Sequence, residues 1–265
     1  MWCIKRMHLT KYGDPQNETI LMIPGPIATY KSLEGLSKLL ANNYYVLVVT
    51  LDGCLKGTTY PGAKPACQDL LYQLKIRKIY HVRMVLGVST GCAIVMEIAK
   101  NHPDFSDFYF YESASFYHVV PFLRHMLETR LWTLVSEVKT SSYPVFKKAL
   151  IHNEIIQKLL GPYGDRYDVL IADMYEVAQF VNKETISHFI ADIVDYPVMK
   201  MDKDMMHRSV FFYGCSSLAY YVKDSLFDHY PFANFIEIKN SYYCMMLTLD
   251  PKRYKGYIDH ILNKY

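Results

Sequence analysis

Ser89 stands in the stretch Gly87-Val88-Ser89-Thr90-Gly91, a hydroxyl nucleophile flanked on both sides by glycine. A serine hydroxyl attacks a carbonyl only when a neighbouring base takes its proton and N–H donors hold the oxyanion that forms. The run before it, residues 82–86, is short, apolar and branched. After it, Ala93, Ile94, Met96 and Ala99 recur on one face, with Glu97 and Lys100 on the other. That pattern is a strand, a sharp turn and a helix. On such a turn the serine takes a strained backbone conformation, and the two glycines give strand and helix room to pass, the geometry of a nucleophile elbow. The N–H of Thr90, at the helix N-terminus, then faces whatever lies against the hydroxyl. Gly-x-Ser-x-Gly also arises by chance in loops, and the flanking strand and helix are what favour the elbow.

The elements that would carry this serine alternate along the chain. Residues 2–9 alternate weakly and 11–15 close them, which predicts an antiparallel edge strand. A buried strand over 19–23 ends at Pro24-Gly25-Pro26, a helix follows over 32–40, and a second apolar strand over 45–50 ends in Leu51-Asp52-Gly53-Cys54. A loop over 57–65 leads to a helix carrying Leu70, Leu71 and Leu74, and then to the elbow. Asn101-His102-Pro103-Asp104 stops the elbow helix, and a strand over 108–111 finishes at Glu112-Ser113. From 116 to 204 helical periods replace strands, over 119–134, 144–160, 169–181 and 183–194. Alternation returns with a strand over 209–213, a helix over 220–229, a strand over 234–239 and a helix over 251–263. The expectation is an α/β core, residues 1–115 and 205–265, interrupted by a helical cap at 116–204. Its sheet is mostly parallel, of about eight strands with helices on both faces, and its chemistry belongs at the carboxyl ends of the strands.

Composition narrows the function classes. A net charge of +3 without a basic run interleaved with aromatics argues against nucleic acid. The first residues, Met1-Trp2-Cys3-Ile4-Lys5-Arg6, lack the apolar core and cleavage site of a signal peptide, and no charge-free apolar run is long enough to span a membrane, so a cytoplasmic location is expected. The six cysteines (Cys3, Cys54, Cys67, Cys92, Cys215, Cys244) have no zinc-like spacing. No metal and no cofactor is expected, and the thiols are expected to be reduced. Most of the 24 tyrosines are expected to be half-buried with their hydroxyls at a wet boundary.

Several motifs now line up in order: Leu21-Met22-Ile23 running into Gly25, Leu51-Asp52-Gly53, Gly87-x-Ser89-x-Gly91, Phe212-Tyr213-Gly214 and Asp250-Pro251. In this order the whole chain resembles the α/β-hydrolase superfamily, of the single-domain type with a helical cap. The resemblance implies a serine hydrolase of ester- or amide-type bonds, with serine, acid and histidine in that chain order. It assigns Ser89 as nucleophile, the Thr90 N–H as one oxyanion donor, and the turn at Gly25-Pro26 as the other.

The chain departs from that pattern where the chemistry lies. Pro26 has no N–H to give, and losing one such donor typically costs about a hundred- to a thousandfold in rate. The acid position maps onto Ser217 and the histidine position onto Cys244, or onto Tyr243 if the loop slips by one. A thiol or a phenol is a poor base near neutrality. Glu112, at a strand end that some superfamily members use for the acid, is the best substitute, the alternative being a solvated or cap-contacting carboxylate. His118 and His125, at the start of the cap, either lean over Ser89 or make ordinary polar contacts; His229 and His260 are expected at the surface. Cys54, Cys92, Cys215 and Cys244 crowd the same sheet edge, as a reactive or metal-binding group or as small buried hydrophobes. The expected function is a weakly active or non-catalytic protein that binds a small apolar ligand or a partner between cap and core. The competing expectation is an active esterase-like enzyme using Ser89, Glu112 and a cap histidine, and a third is a structural role with the pocket filled by side chains.

Overall fold

A computed structural model of the chain describes residues 7–116 and 120–264, the side chain of Ile155 excepted. Seven strands form one sheet in the order β1-β3-β2-β4-β5-β6-β7. They are β1 (His8–Tyr12), β2 (Thr19–Ile23), β3 (Tyr45–Thr50), β4 (Val82–Val88), β5 (Ser106–Glu112), β6 (Ser209–Gly214) and β7 (Asn234–Ile238). Only β1 runs antiparallel, paired with β3 from His8 opposite Thr50 to Tyr12 opposite Val46; the other pairs are parallel. β1 thus includes Lys11 and Tyr12, which sequence alone placed in the closing turn, and residues 2–6 lie outside the described residues. Among the described residues there is one strand fewer than the eight expected.

The central strands are buried on both faces, which explains their unbroken apolar character. Side chains alternate across the sheet. Leu21 and Ile23 face α2 (Ala63–Ile76) and α3 (Thr90–Asn101), whereas Ile20 and Met22 face α1 (Glu34–Leu40) and the last helix, α12 (Pro251–Leu262). Between β5 and β6 the described chain is helical: α4 (Pro121–Val138), α5 (Tyr143–His152), α6 (Glu154–Leu160), α7 (Asp168–Ala178), α8 (Lys183–Val194) and a short α9 (Lys203–His207). The single helix expected over 144–160 is two, separated at Asn153, whose extended backbone ends α5. After β6 come α10 (Lys223–His229) and, past β7, α11 (Met245–Leu249), a five-residue helix too short to leave a period in the sequence. No helix among the described residues is long and apolar enough to cross a membrane.

Buried polar contacts fasten the helical insertion to the sheet layer. The Asp173 carboxylate in α7 accepts from both the N–H (2.6 Å) and the hydroxyl (2.7 Å) of Thr29. The Tyr60 hydroxyl donates to Asp192 in α8 (2.7 Å), and Tyr196 donates to Glu97 in α3 (2.5 Å). Desolvation raises the Asp173 carboxyl and pushes Asp192 up to about 6, while the hydroxyl donors oppose the shift. Several tyrosines expected at a wet boundary are instead buried. Tyr60, Tyr111, Tyr167, Tyr213 and Tyr254 are all essentially inaccessible, because each hydroxyl finds an acceptor inside the protein.

Candidate functional site

β4 hands over to α3 at Ser89, whose φ of 51° and ψ of −112° place a non-glycine residue in a conformation that costs energy. The flanking glycines are required by contact. A Cβ on Gly87 would stand 2.5 Å from the Gly91 carbonyl oxygen, and one on Gly91 would stand 2.5 Å from that of Ile23. Neighbouring β5 holds the turn, since the Ser89 N–H donates to the Glu112 carbonyl at 2.9 Å. Beneath it the Cys92 thiol donates to the Gly87 and Glu112 carbonyls, an apolar-environment thiol pushed far up by burial. Thr90 takes the first position of α3, where its N–H has no acceptor within the helix.

Above Ser89 lies a cavity of about 750 Å³ between the strand ends and the insertion. Its walls are mainly aliphatic, including Leu131, Leu134, Leu159, Leu170, Ile190 and Ile193 from α4, α6, α7 and α8. The volume falls within the ~300–1,000 Å³ typical of small-molecule sites. Side chains therefore do not fill the space, against the third of the expectations above. Ile27, Ser89, Ser113 and Cys244 all line it, and all four are non-glycine residues with φ near +50°. Strain of this kind persists only where the surrounding structure over-determines it, and it concentrates at functional sites.

The residue facing Ser89 is Tyr243. Its hydroxyl faces the Ser89 side chain, which partly opposes the rise of its pKa, and lies 3.2 Å from where a Cβ on Gly25 would be, so it occupies the corner between the elbow and the Gly25-Pro26 turn. Of the two readings of the histidine position, the one shifted by one residue contacts the serine. The Tyr243 backbone is pinned from the insertion: its N–H donates to the Leu159 carbonyl (3.0 Å), and its carbonyl accepts from the Tyr167 hydroxyl (3.3 Å). Desolvation raises the Tyr243 phenol well above its ordinary range, so it remains a neutral hydroxyl at physiological pH. Cys244, the direct match to the histidine position, sits beside it in a left-handed conformation. Its thiol donates to the Ser113 hydroxyl at 4.0 Å and lies beside the Tyr243 phenol, and burial raises it far above the usual thiol range.

From Ser113 the chain of contacts ends on a carboxylate. The Ser113 hydroxyl donates to Glu112 Oε1 at 3.0 Å and the Tyr254 hydroxyl to Oε2 at 2.9 Å. Glu112 is buried, and desolvation pushes its pKa up to about 7 despite these two donors. It thus stands behind the floor of the cavity, connected to Ser89 through Ser113, Cys244 and Tyr243. It is therefore not a solvated carboxylate. His125 is exposed on α4 and does not line the cavity, and His118 lies outside the described residues. Among the described residues no histidine lines the cavity. His229 and His260 are exposed on α10 and α12.

The remaining family positions are also occupied without supplying charge or a donor. The Ser217 hydroxyl is buried and unpartnered, outside the cavity lining. In the Gly25-Pro26 turn the next two amides, Ile27 and Ala28, face the buried Cys54 sulfur and partly oppose the desolvation that pushes its pKa up to about 12. Pro26 itself has no N–H to offer at this turn. Cys215 is half-buried, and no three metal-ligating side chains converge among the described residues. Sequence reasoning missed Ser113 as a link, Tyr254 as the donor to Glu112 and Asp173 as the acceptor that ties α7 to Thr29. Contacts across such sequence distances leave no local pattern to find.

No known family profile and no curated protein sequence matches the chain. Solved structures do. An α/β-hydrolase enzyme from a Medee basin deep-sea metagenome library superimposes with a TM-score of 0.74 at 12% identity, over 97% of this chain and 94% of that one. A thermophilic esterase from Thermogutta terrifontis gives 0.72 at 12% identity, covering 97% and 93%. The enol-lactonase from Burkholderia xenovorans LB400 gives 0.69 at 13% identity, covering 97% and 96%. The chain has the α/β-hydrolase fold.

Proposed function

We propose that this protein is a binding member of the α/β-hydrolase fold, holding an apolar small molecule in the cavity above Ser89 without hydrolysing it at an enzymatic rate. The observation that carries the reading is the partner of the serine. Ser89 meets a neutral phenol, Tyr243, in place of a base. A hydroxyl is a weak nucleophile without one. The oxyanion site is short of a donor too, because Pro26 has no N–H. The aliphatic walls and the volume of the cavity favour an apolar occupant.

A second reading has one specific observation behind it, the carboxylate near neutrality at the end of the Ser89–Tyr243–Cys244–Ser113 chain. Glu112 could accept a proton passed along it, giving slow hydrolysis that depends on both Ser89 and Glu112. Turnover of p-nitrophenyl butyrate by wild type, Ser89→Ala and Glu112→Gln, side by side at mildly alkaline pH, separates the two. Equal background rates in all three are expected. Turnover lost in Ser89→Ala overturns the binding reading, and loss in Glu112→Gln as well identifies the relay.

A further inference from the structure

α2 ends in an exposed cluster that the cavity and its serine leave unexplained. Lys75, Arg77 and Lys78 stand at its C-terminus, three cations in four residues, all exposed. Beside them Tyr72, Ile76 and Tyr80 are 50, 59 and 67% exposed. In the sequence three cations are too short a run to mark a nucleic-acid site; the structure shows that they share a surface with apolar side chains. Tyr72, Lys75 and Ile76 lie on the helix face that Lys64 and Gln68 continue toward the N-terminus, opposite the buried Ala66, Leu70 and Leu74. Among the described residues none of the three cations forms an ion pair. Arg77 donates to uncharged atoms of Gln73, the carbonyl (2.7 Å) and Oε1 (2.8 Å). Asp69, the one acid in α2, lies near Asp52, whose carboxyl burial and then this neighbour push up to about 6.

Lys78 closes the helix with a φ of 61°. Its N–H donates to the Lys75 carbonyl (2.9 Å) and that of Ile79 to the Leu74 carbonyl (3.0 Å), the helix ending in which glycine is the usual left-handed residue. Glycine takes that conformation without strain. Lysine there gives up stability and adds an exposed charge. One cation is enough to oppose the helix dipole, and the dipole gives no reason for Ile76 and Tyr80 to stand in water.

We propose that this end of α2 docks the protein on the surface of an anionic lipid bilayer, with Lys75, Arg77 and Lys78 among the headgroups and Tyr72, Ile76 and Tyr80 at the acyl boundary. Cations beside an apolar anchor are what such a surface attracts, and tyrosine suits the interface, where its ring is apolar and its hydroxyl wet. A protein partner needs about 800 Å² on each side, roughly 20–30 residues, and this cluster is far smaller. Single-stranded nucleic acid is held by stacking on aromatic planes, which the aliphatic Ile76 does not offer. No membrane-spanning helix is needed. Val82 opens β4 just past the cluster and Ser89 follows β4 at its other end, about 20 Å away at ~3.3 Å per residue. Docked in this way, the molecule holds its cavity away from the lipid, and the proposal does not depend on what the cavity binds.

The test is co-sedimentation of the full chain with sucrose-loaded vesicles, of phosphatidylcholine alone or with about a third phosphatidylserine, at about 0.1 M salt, where surface charge still acts. Each cation near an anionic surface is worth about fivefold in partitioning, so the three together are expected to give about a hundredfold preference for the anionic vesicles. Lys75→Gln with Lys78→Gln is expected to lower anionic binding about 25-fold, and Ile76→Ser about five- to tenfold. Lys252→Gln with Arg253→Gln, exposed on α12, removes the same net charge elsewhere and is expected to leave binding unchanged. Lys78→Gly separates docking from a merely structural role, since it is expected to raise the melting temperature and weaken binding about fivefold. All these positions are exposed, and circular dichroism confirms that each variant is folded. Equal binding to both kinds of vesicle overturns the inference, as does no binding to either. So does a loss in the α12 variant as large as in the α2 variant, or binding indifferent to Ile76→Ser. A single-stranded oligonucleotide that binds more tightly than the anionic vesicles, and loses affinity in the α2 variant, assigns the cluster to nucleic acid and overturns it too.

Discussion

Replacing Glu112 by glutamine should stabilise the protein increasingly as the pH rises above about 4.5, with the full gain reached above about 7. The carboxyl titrates at about 7 in the folded chain against 4.5 for an exposed glutamate. Below about pH 4.5 folded and unfolded chains both carry the proton, and the group makes no difference between them. Between 4.5 and 7 the folded chain keeps a proton that the unfolded chain has released, so stability falls as pH rises through this window. Above 7 the loss is complete and levels off at roughly 3 kcal/mol, the cost of ionising this carboxyl in its buried site. Glu112→Gln has no proton to lose and keeps both neighbours satisfied, because the Ser113 and Tyr254 hydroxyls can each donate or accept. Urea unfolding of both proteins at pH 5 and at pH 8.5 measures the effect. The stability advantage of the variant should grow by roughly 2–3 kcal/mol between the two, whereas Asp52 and Asp192, raised to about 6, titrate alike in both proteins and cancel. An advantage that is the same at both pH values would refute the reasoning and show that the Glu112 carboxylate is solvated or charge-paired in the folded state.

Thr29→Val removes the hydroxyl that donates to Asp173 and accepts from the Lys31 N–H, and it should cost about 1–3 kcal/mol in urea unfolding, with the cap helices losing protection from hydrogen exchange first. Gly256, exposed within α12 with nothing near its Cβ direction, should become more stable by about 1 kcal/mol as Gly256→Ala, read as a higher melting temperature. Gly87→Ala should fail to yield folded protein, because its Cβ would sit 2.5 Å from the Gly91 carbonyl oxygen, which is backbone and cannot move aside; far-UV circular dichroism of the soluble fraction decides it.

Strand and helix positions were legible where the side chains repeat with a clear period. β2, β3 and α8 fall where the sequence placed them, because their apolar residues are buried in unbroken runs or on one helical face. α11 and the break at Asn153 were not legible, since a five-residue helix and a single extended residue leave no period to detect. At the site, Gly87, Ser89 and Gly91 announce the elbow through residue type and spacing alone. Which of Tyr243 and Cys244 meets the serine was not decidable from spacing. It depends on how the loop after β7 lies against Gly214, whose Cβ direction is filled by the Ser241 and Tyr242 carbonyls, and on the bond from Tyr243 to Leu159. The burial of Glu112 against Tyr254 joins residues on opposite sides of the insertion, a contact set by the fold as a whole.

Because Tyr243 is tethered at both backbone groups by Leu159 and Tyr167, the roof of the cavity and the hydroxyl at its floor are one mechanical piece. A molecule entering between the helices and parting α6 from the sheet must draw on the loop that aims the phenol at Ser89. Admission and grip are therefore coupled. On the proposed reading of the cavity as a ligand site, displacing α6 would disturb the loop that carries the phenol facing Ser89. On that account the exchange of ligand should be slow relative to its affinity, and residence time, more than equilibrium occupancy, is what substitutions at Leu159 or Tyr167 would change.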